Sequence, residues 1–459
     1  MRNPLLVPDL RELIQAGETA ALRDFFADHH PARVAEMIED LGPSEGDTVL
    51  GLLPARSRAD ILSYFDSEHQ GRVVEAMSPA EAAALLHLMS HDERADLVNR
   101  LDEDRVDLIL PHLAQAERDD IRRLASYEPG TAGAVMTTDY VTLPPHLTVR
   151  EALDRLRHEA PDRETIYYSY VVDPQRRLIG IVSLKSLILA RPSTRIEDIM
   201  QRDAIFARVD EDQESVARKI EKYDLIAIPV VEATDMLVGI ITHDDVLDIL
   251  RREQTEDILA FGGVARDAEA EEVPYWQGRS ADAVRRRIVP LLMLFLAGTV
   301  TGFVVRSFNW VDARFPEIEF DAFFPLLIGT GGNAGSQTVG TIIRGLSLGD
   351  IQRGDTWRVL CRELLTGLLL GTLLGFLGFL FTLAVYYRHG PLFSAVIGVS
   401  ILGICVWANG VGALVPMMAR RFGYDPALIS APLISTLVDA TGLVIFYTVA
   451  IILLIKLAA

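Results

Sequence analysis

The stretch DPALISAPLISTLVDATGLVIFYTVAIILLIK, residues 425–456, decides what kind of chain this is. Between Asp425 and Lys456 it holds one charged side chain, Asp439. About 20 apolar residues suffice to cross the hydrocarbon core of a bilayer as a helix. A carboxylate near the middle of such a helix costs roughly 2.5–3.5 kcal/mol on insertion scales, so it faces a water-filled path or a partner. The reading adopted is that Asp439 faces a cation pathway; the plainer alternative is a hydrogen bond from a neighbouring helix.

Four further apolar stretches precede it, at 288–306, 322–343, 361–387 and 393–418, so five membrane helices are expected, the fifth over 427–455. Arg285, Arg286 and Arg287 flank the first, Arg344, Arg353, Arg358 and Arg362 separate the second from the third, and Arg420 and Arg421 separate the fourth from the fifth. Arg306, Arg314, Arg388 and Lys456 occupy the opposite flanks. The excess of basic residues on the first set places it, and the N-terminal domains, in the cytosol and the C-terminus outside, in a multi-pass protein of the cell (inner) membrane. On that orientation Asp425 marks the cytosolic end of the fifth helix, and Asp439 lies about 21 Å along it at 1.5 Å per residue. The second stretch contains GGNAGSQ, residues 331–337. Such residues allow close backbone approach and exposed carbonyls where protein or water surrounds them, or serve only helix packing.

The charge divides the chain. Residues 285–459 hold 13 Lys+Arg and 9 Asp+Glu, a net of +4, whereas the whole chain carries −20, leaving −24 on the rest. An acidic soluble half disfavours nucleic acid and suits cations, although a merely solvated acidic surface has the same composition. Cys361 and Cys405 are the only cysteines and support neither a disulfide framework nor a zinc site. Asp9, Arg11 and Glu12 interrupt the N-terminus before an apolar stretch forms, so no secretory signal is expected. No nucleophile stands at motif spacing from a base and no zinc-binding His pair occurs, so the chain does not read as an enzyme.

Residues 34–125 repeat every twelve positions. Leu41, Leu53, Phe65, Met77, Met89, Leu101 and Leu113 form one apolar series, and Met37, Val49, Ile61, Val73, Leu85, Leu97 and Ile109, four residues earlier, form another. Positions i and i+4 share a helix face, and Gly42-Pro43, Pro54, Ser78-Pro79 and Ser90 supply breaks at the same period. Short amphipathic helices stacked as an all-α superhelical solenoid are expected.

After Pro129-Gly130 the pattern changes. Ser169–Asp173 and Leu178–Ser183 recur as Ala227–Val231 and Leu237–Thr242, each pair reading as strand, turn, strand, then helix, and the openings Met136/Asp139 and Met200/Asp203 match as well. This resembles a tandem of α/β CBS domains over residues 136–252, which implies an adenine-nucleotide site, ATP included. Thr242 and Asp245 match the pattern whose acid holds a ribose hydroxyl, while Ser186 replaces the acid in the first repeat, so at most one full nucleotide site is expected. A purely structural tandem is the alternative.

From end to end the chain resembles the MgtE family of magnesium channels and transporters. The order agrees, and the most specific matches are GGNAGSQ at 331–337 and the run from Gly423-Tyr-Asp-Pro to Thr-Leu-Val-Asp439. The resemblance implies a solenoid over 1–130, CBS domains over 131–192 and 193–248, a connecting plug helix over 249–284 and a transmembrane pore domain over 285–459. It implies a homodimer taking up Mg²⁺, with Asp439 holding the hydrated ion and groups at Ser435 and Asn333 accepting hydrogen bonds from its waters. It further implies closure by regulatory Mg²⁺ at Asp60, Asp92, Asp96, Glu214, Asp224, Asp245, Asp248, Glu253, Glu256, Asp257 and Asp425. An ion-coupled divalent-cation transporter, and a CBS-regulated membrane sensor or enzyme, are the other classes the residues allow.

Overall fold

The twelve-residue period becomes short helices, several of them started by a proline or a capping side chain where the predecessor stops. The computed structural model describes residues 7–159, 164–264, 280–347, 349–352, 354–426, 429 and 431–456. Among them ten α-helices build the first part, from α1 (Val7–Ala16) to α10 (Gln115–Ala125). Pro31, Pro43 and Pro79 open helices, where the missing N–H has no intrahelical partner to lose. Asp66 accepts from His69 N at 2.7 Å, and Ser78 forms a reciprocal capping box with Glu81. Thirteen of the fourteen residues of the two apolar series are buried and Met77 is half-buried, so the stacked stripes form one continuous core. Helices this short are marginal alone; packing on their neighbours holds them.

Two three-stranded sheets follow, β1 (Thr142–Leu143), β2 (Tyr168–Val172) and β3 (Leu178–Ser183), then β4 (Ala207–Arg208), β5 (Ala227–Val231) and β6 (Leu237–Thr242). In each the short strand pairs parallel to the next, and the last two pair antiparallel, Tyr168 opposite Ser183 and Ala227 opposite Thr242. The opening segments cross over: Met136 packs on Gly239 of the second sheet, and Met200 Sδ would lie 2.9 Å from a Cβ at Gly180 of the first. That reciprocal exchange is why both openings carry methionine and both final strands carry glycine at the third position. β5 and β6 are buried along their whole length, and the core around them takes in Ala95 and Leu124 of the solenoid. The chain separates into two compact units, residues 1–253 and 254–459.

Helix α15 runs without a break from His243 to Phe261, so the segment expected to connect from residue 249 continues the last CBS helix. It stops at Gly262-Gly263, where Gly263 adopts φ 74° and Val264 N returns to Leu259 O at 3.0 Å. Residues 265–279 of the expected plug lie outside the described residues.

Five long helices follow: α16 (Ser280–Arg314), α17 (Phe324–Ser347), α18 (Thr356–Val385), α19 (Gly390–Arg421) and α20 (Ala431–Ala450), the last continued by a π turn over Ile451–Lys456. Four of the helices are long and apolar enough to cross a membrane by length and composition. The fifth, α17, has the length, about 36 Å, but its Gly331–Gln337 run dilutes the hydropathy. The expected start of the last span is corrected: α20 begins at Ala431, so Asp425 precedes it. Gly423 ends α19 with φ 83°, and Pro432 suits a first helical turn. Only about 12 Å of helix therefore separates the start of α20 from Asp439. Ala427, Leu428 and Ser430 lie outside the described residues.

Candidate functional site

Ser435 and Asp439 stand one turn apart on the same face of α20. The backbone of α17 comes against that face because Gly331 and Gly332 have no side chains. A Cβ at Gly332 would collide with Ser435 Oγ and lie 3.5 Å from Asp439 Oδ1, and one at Gly331 would lie 2.8 Å from Val438 Cγ1. On its other side α17 is tied to α19 by Thr338 Oγ1 donating to Asn409 Oδ1 at 2.7 Å, with Asn409 Nδ2 donating to Cys405 O at 2.8 Å. Asp439 is half-buried, and its Oδ1 is buried without a hydrogen-bond partner. A buried acceptor left without a donor is costly, so Oδ1 is open to a ligand that brings its own donors. Asn333, expected beside it, is exposed on another face of α17 together with Gln337, Thr341 and Arg344. That face is a polar stripe along a helix otherwise packed among apolar neighbours.

The second cluster lies in the first unit, where α8 (His91–Arg100) of the solenoid meets the CBS tandem. Asp92 Oδ1 is buried without a hydrogen-bond partner. Burial, then the neighbouring Glu93, push the Asp92 carboxyl up to about 6. Glu164 keeps a face in water, yet partial desolvation by the atoms crowded around it, then Asp92 and Asp244, push its carboxyl up to about 7. Asp245 is pushed up to about 8 by burial and then by Asp92, although Thr242 Oγ1 donates to it at 2.5 Å. Other side chains serve other acids: His91 Nδ1 lies 2.9 Å from Asp120 and its Nε2 3.3 Å from Asp139, and buried Arg94 lies 3.7 Å from Asp120 and 3.9 Å from Glu117. Asp92, Glu164 and Asp245 are left repelling one another in a partly dry interface.

The structure therefore brings Asp92 and Asp245 together, with Asp96 one turn further along α8. It also adds Glu164, Asp244 and Glu93, which no motif marked, and Asp139, which the repeat openings marked without giving it a role; Glu164 arrives through its backbone N–H donating to Asp139 O at 3.3 Å. Other expected ligands are separated. Asp60 pairs with Arg56 at 3.3 Å. Glu214 pairs with Arg218 at the start of α14 (Gln213–Tyr223), while Asp224 caps its far end with φ 50°. About 15 Å of helix separates them, so Glu214 and Asp224 of one chain stand too far apart to share an ion. Asp248 is exposed, and Glu253 accepts from Gln213 Nε2 at 2.7 Å. Asp257 accepts from Ser347 Oγ at 3.4 Å, and Glu256 and Asp425 are half-buried. Among the described residues no group of three or more His, Cys, Asp or Glu is assembled for a metal ion. In the first CBS repeat Ser186 bonds Ser183 at 2.8 Å where an acid would stand.

A five-helix apolar bundle with an unpartnered intramembrane carboxylate, joined to a solenoid and a CBS tandem, defines a multidomain membrane cation transporter. Residues 324–449 match the MgtE divalent cation transporter model, 29–130 the MgtE intracellular N domain, and 132–193 and 196–252 the CBS domain. The chain is 41% identical over 452 residues to the magnesium transporter MgtE of Thermus thermophilus, covering 98% of both chains. It is 36% identical over 331 residues to the magnesium transporter MgtE of Enterococcus faecalis, covering 72% of this chain and 71% of that one. The crystal structure of the cytosolic domain of the Mg²⁺ channel MgtE in complex with ATP is similar at 39% identity and a TM-score of 0.51, over 53% of this chain and all of that one. The chain belongs to the MgtE family of divalent cation transporters.

Proposed function

We propose that this protein is a Mg²⁺ channel that admits the ion across the cell membrane as a homodimer and closes when cytosolic Mg²⁺ is high. The observation that carries the reading is Asp439 Oδ1, buried and unpartnered in an apolar helix beside the Gly332 notch. Mg²⁺ sheds its water reluctantly and is held by one or two carboxylates with several waters kept. One Asp439 from each of two subunits suits such an ion better than a dry cage would. The polar stripe of Asn333, Gln337 and Thr341 on α17 supplies acceptors for its waters along the path. Basic flanks orient the chain with its solenoid and CBS tandem in the cytosol and its C-terminus outside.

The acidic interface provides the gate. The buried, unpartnered Asp92 Oδ1 facing Asp245 and Glu164 fits a divalent cation bridging carboxylates through water. The bound ion favours the docked arrangement only by as much as it binds that arrangement better than the undocked one. Asp96, Asp248 and Glu253 extend this acidic surface, while Glu256, Asp257 and Asp425 belong to the membrane unit; Asp60 and Glu214, each paired with an arginine, and Asp224 are further regulatory Mg²⁺ ligands. Thr242 and Asp245 supply the ribose-binding pattern for an adenine nucleotide such as ATP. Mg²⁺ influx into proteoliposomes tests the pore: Asp439→Ala abolishes it, and wild-type influx in that variant would remove Asp439 from the path. Influx that persists without a pH gradient distinguishes passive conduction from proton coupling.

A further inference from the structure

Helix α16 meets the rest of its unit at one end. Of its 35 residues Val311 alone is fully buried, and none of its most apolar 18-residue stretch is. At that end the ring of Phe308 stacks on Tyr447 of α20, centroids 4.8 Å apart and planes within 4°. The Tyr447 hydroxyl donates to Asp312, 3.2 Å from Oδ2 and 3.5 Å from Oδ1. Tyr447 has no exposed surface, and Phe324 packs its ring 6.0 Å away. Eight residues separate Tyr447 from Asp439, so they lie on one face of α20, about 12 Å apart along the axis. A buried phenol that loses its acceptor costs more than the bond was worth, and a carboxylate is the stronger kind of acceptor.

Helix α20 is thus held at two levels: by the glycine notch of α17 beside Asp439, and by Phe308 and Asp312 of α16 at Tyr447. Rotation or sliding of α20 between these supports moves the carboxylate relative to Gly332. We infer that Tyr447 and Asp312 are positioning residues for transport, their hydrogen bond fixing the rotation and height of α20 so that Asp439 presents its free oxygen to the ion. The inference rests on the reading that Asp439 holds the ion. Asp312 also stands in a run with Glu317, Glu319 and Asp321, and a charge there would draw cations whether or not it bonds Tyr447. The conservative amide separates the two roles, since Asn keeps an acceptor oxygen and loses the charge.

The test uses the full chain in proteoliposomes with a Mg²⁺-free interior, an internal Mg²⁺-sensitive dye and a titration of external Mg²⁺. Tyr447→Phe and Asp312→Ala are expected to raise the half-saturating Mg²⁺ concentration about five- to tenfold, with maximal influx within about twofold of wild type. Asp312→Asn is expected to stay within about twofold of wild type in both. An unchanged titration in Tyr447→Phe overturns the inference, and so does Asp312→Asn being as impaired as Asp312→Ala, which makes Asp312 a cation-attracting charge. A loss of maximal influx together with earlier thermal unfolding, at unaltered half-saturation, also overturns it by reducing the bond to a structural role. Should Tyr447→Phe not fold, the two Asp312 variants decide between the same outcomes. Asp439→Ala in the same vesicles keeps the underlying reading separate: influx surviving there removes the pore assignment, whereas influx lost there with Tyr447→Phe unchanged removes only the positioning role.

Discussion

Gly332→Ala sets one methyl group against the proposed transport path. Its Cβ would collide with Ser435 Oγ and sit 3.5 Å from Asp439 Oδ1. Helix propensity acts the other way, since alanine is better than glycine inside a helix by about 1 kcal/mol, so α17 itself becomes a better helix. The cost lies between helices, where forcing an extra carbon into a packed contact takes about 1–3 kcal/mol in displaced side chains and backbone. Ser435 can turn aside, but the methyl then occupies space next to the carboxylate where a water of the hydrated ion would stand. A loss of that size corresponds to about 5- to 150-fold in influx at subsaturating Mg²⁺. Gly329→Ala is the control on the same helix, with nothing within 4 Å of its Cβ, and is expected to conduct like wild type. Removing the Ser435 hydroxyl in Gly332→Ala/Ser435→Ala reopens the space and should restore most of the influx. The assay is initial-rate Mg²⁺ entry into proteoliposomes at matched protein incorporation; Gly332→Ala within about twofold of wild type would refute the close approach of α17 to Asp439.

In Mg²⁺-free solution the solenoid and CBS portion should lose stability as pH rises from about 4 to about 8. Asp92, Glu164 and Asp245 hold protons up to about 6, 7 and 8 when folded, against 3.8, 4.5 and 3.8 otherwise, and stability falls wherever the folded state binds more protons. Denaturant titrations of wild type and Asp245→Asn check this; the variant should show a flatter slope and a smaller gain from Mg²⁺, and stability rising with pH would contradict the repulsion. Glu256→Gln/Asp257→Asn should weaken inhibition by cytosolic Mg²⁺ in patch recordings, and unchanged inhibition removes those acids from the gate. Leu86→Ala, at a position with no exposed surface, should destabilise the solenoid by about 2–5 kcal/mol, read as a lowered thermal midpoint; an unshifted midpoint would mean Leu86 is not in the common core.

Much of the architecture follows from local periodicities that burial enforces directly. The twelve-residue series at Leu41 and Met37 is satisfied by stacked helices, and the recurring runs Leu178–Ser183 and Leu237–Thr242 appear as strands with those same limits. The isolation of Asp439 was equally legible, because a charge in an apolar helix is anomalous whatever surrounds it. Contacts between distant segments were not. That Asp92 faces Glu164 and Asp245 depends on how the solenoid docks on the second CBS repeat, and nothing near Glu164 marks it. That Gly332, rather than its neighbour Asn333, meets Asp439 depends on the rotation of α17, which the Thr338–Asn409 bond helps set. Asp425 lies off α20 because Gly423 and Pro432 divide a run whose hydropathy reads as continuous. The sequence by itself determined the elements, their order and the one misplaced charge, since those are properties of single helices and strands in water or lipid. The tertiary structure alone decided which side chains meet, since that depends on packing angles, on glycine notches and on groups far apart in the chain.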